Sequence, residues 1–362
     1  MSREQTVYEA HKQSGLLLNA NEASENLSET LIEELQEMLP EILFNRYPED
    51  SAIELRKQYG RVMNLPAEMI LAGNGSDQML QLMITAFLNE NDSMFTLAPD
   101  FSMYDFYASG IGADVKRYEL FKDGMFDAEA VLDVDEFITQ ARESNARLVM
   151  FSNPNNPSGL MISKEDVRKI ALALGDVPLL MDEAYMEFGQ DSALDLLTDP
   201  AIQNLYITRT LSKAYALAGL RVGFLISTPE NIERMNRHRP VYNLNSFSAA
   251  AAGKVLEHAV EFQKKTEQVV DERERMEQFL SSLESIEYLP SKGNFICLTV
   301  KADPQTRAAM AAKLAAAFEE AGITIRDYRG KDYIRITIGL PDENDQTMAV
   351  LEKFCRKPGI RS

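Results

Sequence analysis

The chain has 362 residues, of which 45% are hydrophobic, and a formal net charge of -19. This length and hydrophobic content suffice for one large core and a smaller companion, so we expect two globular domains. The acidic balance would repel phosphate backbones and anionic lipid, so nucleic acid and membrane surfaces are not expected partners.

The two cysteines, Cys297 and Cys355, lie far from any metal-ligand spacing. They predict neither a disulfide nor a metal site. The first thirteen residues contain no apolar signal region, and no uncharged stretch elsewhere is long enough to span a bilayer. We therefore expect a cytoplasmic protein.

An irregular N-terminal arm precedes a short amphipathic helix, which the spacing of apolar residues predicts within 28–40. Short apolar runs then alternate with helical patterns, as is typical of buried strands in a mostly parallel α/β sheet. The predicted strands are 69–72, 94–98, 148–152, 179–182, 205–208 and 222–227.

A long helical stretch over 247–283 ends this alternation and indicates a second, α+β domain. Strands are predicted there at 295–300 and 333–338, around an Ala-rich helix over 304–320. The expected division is an arm and helix packing with the small domain (1–44), a large domain (45–250) and a small C-terminal domain (251–362).

Asp182 ends a predicted buried strand, at the edge where open parallel sheets place ligand-binding groups. The alternative is that it only caps the following segment. Lys213 follows another strand and precedes an apolar segment with little charge before Arg221. A lysine in such surroundings tends to have a lowered pKa and can form an imine with an aldehyde, although a surface lysine is the commoner case.

The turn over 72–77 reads Ala-Gly-Asn-Gly-Ser-Asp and joins a strand to a helix. The first amides of that helix can hold a phosphate. Gln78 stands where a dinucleotide-binding fingerprint needs glycine, which disfavours a nucleotide-binding dehydrogenase. A rigid polar turn over 153–159 lies at the same predicted sheet edge.

Together, these segments resemble the fold type I aminotransferases that use pyridoxal 5′-phosphate, and most closely the histidinol-phosphate aminotransferase branch. The matching segments span nearly the whole chain: 18–22, 45–48, 75–77, 153–159, 182–185, 212–223 and 334–336. The resemblance implies a large domain with a mostly parallel seven-stranded sheet and a smaller α+β domain.

The resemblance also implies roles for individual residues. Lys213 would hold the cofactor as an internal aldimine and shuttle a proton, and Asp182 would keep the pyridine nitrogen protonated. Tyr185 and Asn156 would hydrogen-bond the phenolic oxygen, and Phe101 would cover the ring face. The implied phosphate contacts are Gly75, Ser76, Asp77, Thr210, Ser212 and Arg221, with Tyr47 reaching in from the partner subunit of a homodimer.

On the substrate side, Arg335 matches the arginine that grips an acidic group, and Arg326 matches a second one used for substrate phosphate. Asn19 is expected at the same mouth. The implied reaction moves an amino group from histidinol phosphate to 2-oxoglutarate. The alternative for Arg326 is a solvated charge.

Two departures from the branch pattern leave the substrate open. The arm continues with Ala-Ser-Glu-Asn at 23–26, and Gln78 replaces the usual Glu. An aromatic amino acid is therefore an alternative donor, and a decarboxylase of the threonine-phosphate type shares the same cofactor contacts. A cofactor-binding regulator of transcription is a further alternative, but such proteins carry a basic DNA-binding segment that this acidic chain lacks.

Overall fold

The computed structural model describes residues 14–356. Its strands are β1 (Leu16–Leu18), β2 (Ile70–Asn74), β3 (Ser93–Ala98), β4 (Asp114–Glu119), β5 (Leu148–Ser152), β6 (Leu179–Asp182), β7 (Leu205–Thr210), β8 (Val222–Ile226), β9 (Ile286–Leu289), β10 (Phe295–Val300), β11 (Ile323–Asp327) and β12 (Ile334–Thr337). Its helices are α1 (Glu29–Met38), α2 (Ile53–Met63), α3 (Gly75–Phe87), α4 (Met103–Ile111), α5 (Val134–Glu143), α6 (Lys164–Leu174), α7 (Met186–Gly189), α8 (Pro229–Asn236), α9 (Ser246–Glu257), α10 (Ala259–Ser281), α11 (Pro304–Glu320) and α12 (Pro341–Cys355).

Within the described chain, seven strands form a large sheet in the order β2-β8-β7-β6-β5-β3-β4. Strand β8 runs antiparallel to both of its neighbours, and the other pairs are parallel. The expected mostly parallel seven-stranded sheet is confirmed.

The central strands are apolar on both faces because helices cover both sides of the sheet. Along β5, Val149 and Phe151 pack into one core with α5 and α6, whereas Leu148 and Met150 pack into another with α3 and α4. Edge strand β4 reads Asp-Val-Lys-Arg-Tyr-Glu, and the side chains of its charged residues are largely exposed. Strand β4 was not predicted from the sequence, because this edge strand has no continuous apolar run.

A second sheet has the order β1-β11-β12-β10-β9. Its first strand comes from the N-terminal arm, since Leu16 and Leu18 pair in parallel with Ile323 and Ile325. Strands β10 and β12 were predicted from the sequence, whereas β1, β9 and β11 were not. The arm therefore contributes a strand to the small sheet.

The predicted long helix over 247–283 is two helices in the structure, separated at His258. Ala252 and Val255 of α9 pack in the core of the large sheet, whereas Met276 and Leu280 of α10 pack in the core of the small sheet. Helix α10 therefore extends from the core of the large sheet to the core of the small sheet. The domain boundary at residues 250–251 stays a prediction.

Cys297 is buried in β10 and Cys355 is partly buried in α12, and both are free thiols. Among residues 14–356, no helix combines the length and apolarity needed to cross a membrane.

Candidate active site

A cavity of about 420 Å³ lies at the carboxyl edge of the large sheet, and β11 and β12 of the small sheet contribute to its wall. Parallel strands end at this edge, so side chains that follow different strands meet there. The predicted site residues that line the cavity are Ser76, Asp77, Phe101, Asn156, Asp182, Tyr185, Thr210, Ser212, Lys213, Arg221, Arg326 and Arg335.

Lys213 follows β7, and its amine lies inside this cavity. Lys213 Nζ donates a hydrogen bond to the backbone oxygen of Ala20 at 2.7 Å. Burial, with the nearby positive charge of Arg335, lowers the pKa of Lys213 to about 8. The amine is thus accessible as a neutral nucleophile near physiological pH. This placement excludes the alternative of an ordinary surface lysine.

Asp182 is the last residue of β6, and two side chains hold its carboxylate in place. Thr208 Oγ1 donates to Oδ1 and the Tyr104 hydroxyl donates to Oδ2, both at 2.9 Å. The Ala184 amide also donates to this carboxylate. Burial raises the pKa of Asp182 to about 6, so the group is mainly an anion at neutral pH. A fixed anion is suited to binding a protonated ring nitrogen.

Asn156 connects Tyr185 to Arg335. Its Nδ2 donates to the Tyr185 hydroxyl at 3.3 Å, and its Oδ1 accepts from Arg335 Nη1. Asn21 Nδ2 donates to the same hydroxyl at 3.1 Å. Both contacts use lone pairs of the Tyr185 oxygen. The hydroxyl proton therefore remains available to donate to a phenolate oxygen of a ligand. Burial raises the pKa of Tyr185 to about 12, which keeps that proton in place.

The residues predicted to hold a phosphate surround the start of α3. Arg221 Nη2 lies 2.8 Å from Asp77 Oδ2, and Arg221 Nη1 lies 3.5 Å from Ser212 Oγ. Thr210 Oγ1 donates to Ser212 Oγ at 2.9 Å. The end of β7 and the segment between β7 and β8 therefore deliver two hydroxyls and a cation to one helix N-terminus.

Neighbouring atoms approach two positions at this helix start too closely for any residue but glycine. One is Gly75 at the start of α3, and the other is Gly223 of β8, which lies against it. A Cβ added to Gly223 would lie 2.2 Å from the Ser76 amide nitrogen. Gly75 has φ +76, and a Cβ there would lie 2.7 Å from Arg221 Nη2. Free amides, two hydroxyls and a guanidinium around a glycine-lined helix start fit a phosphate group. With the amine of Lys213 and the anion of Asp182 in the same cavity, the residues fit pyridoxal phosphate.

Arg326 and Arg335 are direct cross-strand partners on β11 and β12. Arg335 is 5% exposed, and its Nη2 donates to the Asn19 backbone oxygen at 2.7 Å. Among residues 14–356, no acceptor meets Arg335 Nε. The Arg326 guanidinium lies 5.3 Å from the centre of the Tyr328 ring, and Tyr328 also lines the cavity.

Three predicted residues, Gly75, Asn19 and Tyr47, do not line the cavity of their own chain. Asn19 is buried beside it and offers its backbone oxygen to Arg335. Tyr47 is 81% exposed and stacks on Tyr242, with 4.7 Å between ring centres. The role of Tyr47 at a partner subunit's site stays a prediction, as do the individual roles of the residues above.

Sequence analysis missed several residues that shape the site. Tyr104 and Thr208 hold Asp182, and Asn21 holds Tyr185. Tyr104 lies three residues after Phe101 at the start of α4, and the two rings are in contact, with 5.7 Å between their centres. Asn21 lies in the matching segment 18–22, but its contact with Tyr185 was not predicted, because it joins positions 164 residues apart.

Comparisons with known proteins agree with this geometry. The family model "Aminotransferase class I and II" matches residues 13–350. A histidinol-phosphate aminotransferase of Clostridium kluyveri is 32% identical over 342 residues, covering 94% of this chain and 93% of that protein. One of Thermococcus kodakarensis is 34% identical over 345 residues, covering 95% and 94%.

Solved structures show the same fold. The histidinol-phosphate aminotransferase of Sinorhizobium meliloti, in complex with pyridoxal 5′-phosphate, has a TM-score of 0.82 at 23% identity, covering 95% of this chain and 92% of that chain. An L-threonine-O-3-phosphate decarboxylase of Porphyromonas gingivalis has a TM-score of 0.76 at 23% identity, covering 94% and 100%. The chain belongs to the class I and II aminotransferases, enzymes that depend on pyridoxal phosphate.

Proposed function

We propose that this aminotransferase moves the amino group of histidinol phosphate to 2-oxoglutarate. The observation that carries the proposal is the cross-strand pairing of Arg326 with Arg335 in the wall of the cavity that holds Lys213. Like charges directly opposite each other destabilise a pair of strands, and an acidic group of a substrate between them offsets that repulsion. The curated relatives described above are histidinol-phosphate aminotransferases, which supports the same donor.

Pyridoxal phosphate, when bound, supplies an aldehyde for the amino group and an aromatic ring that accepts carbanion charge. Lys213 would hold the cofactor through this aldehyde, and its amine would move a proton to and from the substrate carbon that bears the amino group. Asp182 holds a proton on the ring nitrogen, and Tyr185 with Asn156 donates to the phenolic oxygen. The cluster of Ser76, Thr210, Ser212 and Arg221 binds the phosphate, and Phe101 covers one ring face.

The two substrates differ in where their acidic groups lie. Histidinol phosphate carries a phosphate and no carboxylate, whereas 2-oxoglutarate carries two carboxylates. Two guanidiniums at one mouth can serve both, because each makes paired charge-assisted hydrogen bonds with either group. Arg335 is assigned to the carboxylate of the acceptor and Arg326 to the phosphate of the donor.

The proposal includes a homodimer with shared sites, located in the cytoplasm. Beside the 81% exposed Tyr47 lie Leu43 and Phe44, which are 65% and 72% exposed, and Val241 is 69% exposed. Exposed large apolar residues that cluster in this way mark interaction surfaces. A second copy of the chain is the partner that brings Tyr47 to a phosphate.

An aromatic amino acid is the second candidate donor, and Tyr328 is the observation in its favour. Its ring lines the cavity beside Arg326 and Arg335, where it can pack against an aromatic side chain. A decarboxylase of the threonine-phosphate type uses the same cofactor contacts and has the similar fold described above.

The experiment is a set of single half-reactions with the purified enzyme, followed by the loss of the visible band of the bound cofactor. Histidinol phosphate, phenylalanine and threonine phosphate are each offered to wild type, to Arg326→Ala and to the control Arg329→Ala, an exposed arginine of the loop that follows β11. The proposal predicts that Arg326→Ala weakens the binding of histidinol phosphate about a hundredfold and changes the binding of phenylalanine little. The reason is that a bidentate charged contact is lost for one donor alone.

Three outcomes would contradict the proposed donor. Equal losses of affinity for histidinol phosphate and phenylalanine in Arg326→Ala would mean that Arg326 does not bind the substrate phosphate. A wild type that reacts with phenylalanine but not with histidinol phosphate would favour the aromatic donor. Release of carbon dioxide from threonine phosphate would favour the decarboxylase.

A further inference from the structure

Asp100 is a carboxylate in the wall of the cofactor cavity that plays no part in the chemistry above. It follows β3 by two residues and lies beside the end of β5, at the same sheet edge as Asp182. Burial raises the pKa of its carboxyl well above the usual range, so placing it here carries an energetic cost. Its hydrogen bonds indicate what offsets that cost.

Three donors converge on the Asp100 carboxylate. The Phe101 amide donates to Oδ1 at 2.7 Å, and the Ser152 amide donates to Oδ2 at 3.1 Å. The Ser152 hydroxyl donates to Oδ1 as well. Asp100 therefore ties the segment that carries Phe101 to the last residue of β5.

Ser152 extends this connection to the neighbouring turn. Its Oγ accepts hydrogen bonds from the Asn156 amide at 2.9 Å and from Asn155 Nδ2 at 3.4 Å. Ser152 is also the direct strand partner of Asp182. One carboxylate and one hydroxyl thus link the segment of Phe101, the turn of Asn156 and the strand end of Asp182.

We propose that Asp100 is a positioning residue for the cofactor ring, an inference that rests on the proposed function. Phe101 lies on a ring face and Asn156 at the phenolic edge, and both backbones are held through the Asp100–Ser152 pair. Asp100 touches neither substrate nor reacting atoms in this proposal. It fixes the spacing between two side chains that must meet the ring at the same time, which matters because small displacements in a preorganised site are costly.

The test compares Asp100→Asn and Ser152→Ala with a matched control, Asp105→Asn. Asp105 lies on the surface of α4, and its carboxylate pairs with Arg117 of β4. In Asp100→Asn, an amide donor faces the Ser152 amide and one acceptor is lost. We expect about tenfold weaker cofactor binding and a reduced visible circular dichroism per bound cofactor, with smaller changes of the same sign in Ser152→Ala. Asp105→Asn should match wild type in both measurements.

A double-mutant cycle with Phe101→Ala asks whether Asp100 acts through Phe101. The proposal predicts that adding Asp100→Asn to Phe101→Ala costs less affinity than it costs in wild type. Strict additivity, or Asp100→Asn with wild-type affinity and circular dichroism, would overturn the inference.

Amide hydrogen exchange of the cofactor-free protein gives a readout that does not depend on the proposed function. Asp100→Asn should speed exchange in peptides spanning 98–104 and 152–158 but not in α6, which contacts neither segment through Asp100. Native-like protection of both peptides would also overturn the inference. A wild type that binds no pyridoxal phosphate would contradict the proposed function instead. The exchange rates would still decide whether Asp100 holds the two segments.

Discussion

Asp77 Oδ2 lies 2.8 Å from Arg221 Nη2, so the guanidinium proposed to bind the cofactor phosphate is paired with a carboxylate of its own chain. Both side chains are substantially exposed, at 36% and 44%. A phosphate that binds here competes with Asp77 for Arg221 and meets its negative charge.

From this pairing we predict that Asp77→Asn binds pyridoxal phosphate more tightly than wild type. The expected gain is about two- to fivefold at low salt, since an exposed ion pair is worth little, and it should shrink as salt screens the charges. Titration of the cofactor-free protein at two ionic strengths measures it. Weaker binding in Asp77→Asn would mean that the carboxylate helps to build the phosphate site.

A second prediction concerns the pH dependence of cofactor capture by Lys213. A lysine pKa lowered to about 8 from its ordinary value of 10.5 means that the neutral, reactive amine predominates above pH 8. Capture of pyridoxal phosphate by the cofactor-free protein should rise with pH and level off above about 8. Arg335→Leu should shift this midpoint to higher pH, because the positive charge of Arg335 favours the neutral amine.

Stopped-flow absorbance checks the capture rate, with Lys213→Ala as the blank. Borohydride should trap the cofactor on wild type alone, while Lys213→Ala still binds it through the phosphate and ring contacts. Trapping at another lysine, or a wild-type midpoint near 10.5, would contradict the assignment.

Replacement of Asp182 should slow turnover severely. Asp182→Ala removes the anion proposed to keep the ring nitrogen protonated, so the activation barrier should rise by about 3 kcal/mol and kcat should fall a hundredfold or more. Tyr104→Phe and Thr208→Val each remove one hydrogen bond to the same carboxylate and should cost less. Steady-state kinetics test this series against Asp199→Asn, a surface carboxylate that pairs with Arg168. Unchanged kcat in Asp182→Ala would assign the ring nitrogen another partner.

Shared sites can be tested by mixing two inactive variants. Lys213→Ala supplies an intact Tyr47, and Tyr47→Ala supplies an intact Lys213, so a hybrid dimer carries one complete site. Random exchange of equal amounts should recover about a quarter of wild-type activity. Full activity of a monomer in sedimentation at assay concentration would contradict the shared site.

The elements that the sequence predicted best are those whose burial is uniform. The bounds of β5 and β6 match the prediction residue for residue, because both strands are apolar on both faces and end in polar residues that turn toward the cavity. The break at His258 was missed because apolar residues keep helical spacing across it, while α9 packs in the core of the large sheet and α10 extends from that core to the core of the small sheet.

In the site, residues with a distinctive local motif were found and those that act across the chain were not. Lys213 and Asp182 stand in recognisable segments at strand ends. The contact between Asn21 and Tyr185 joins positions 164 residues apart, and the contact between Asp100 and Ser152 joins positions 52 residues apart. Such contacts arise from the packing of the whole chain, which no local pattern encodes.

The parallel pairing of Leu16 with Ile323 has a consequence for how the protein is made. A ribosome adds roughly 5 to 20 residues per second, so the early strand waits roughly 15 to 60 s for its partner to be synthesised. During that interval the Ala20 carbonyl is not yet held against Lys213 by the small sheet. The contact between the Ala20 carbonyl and Lys213 is therefore secured by the small sheet only after β11 has been made.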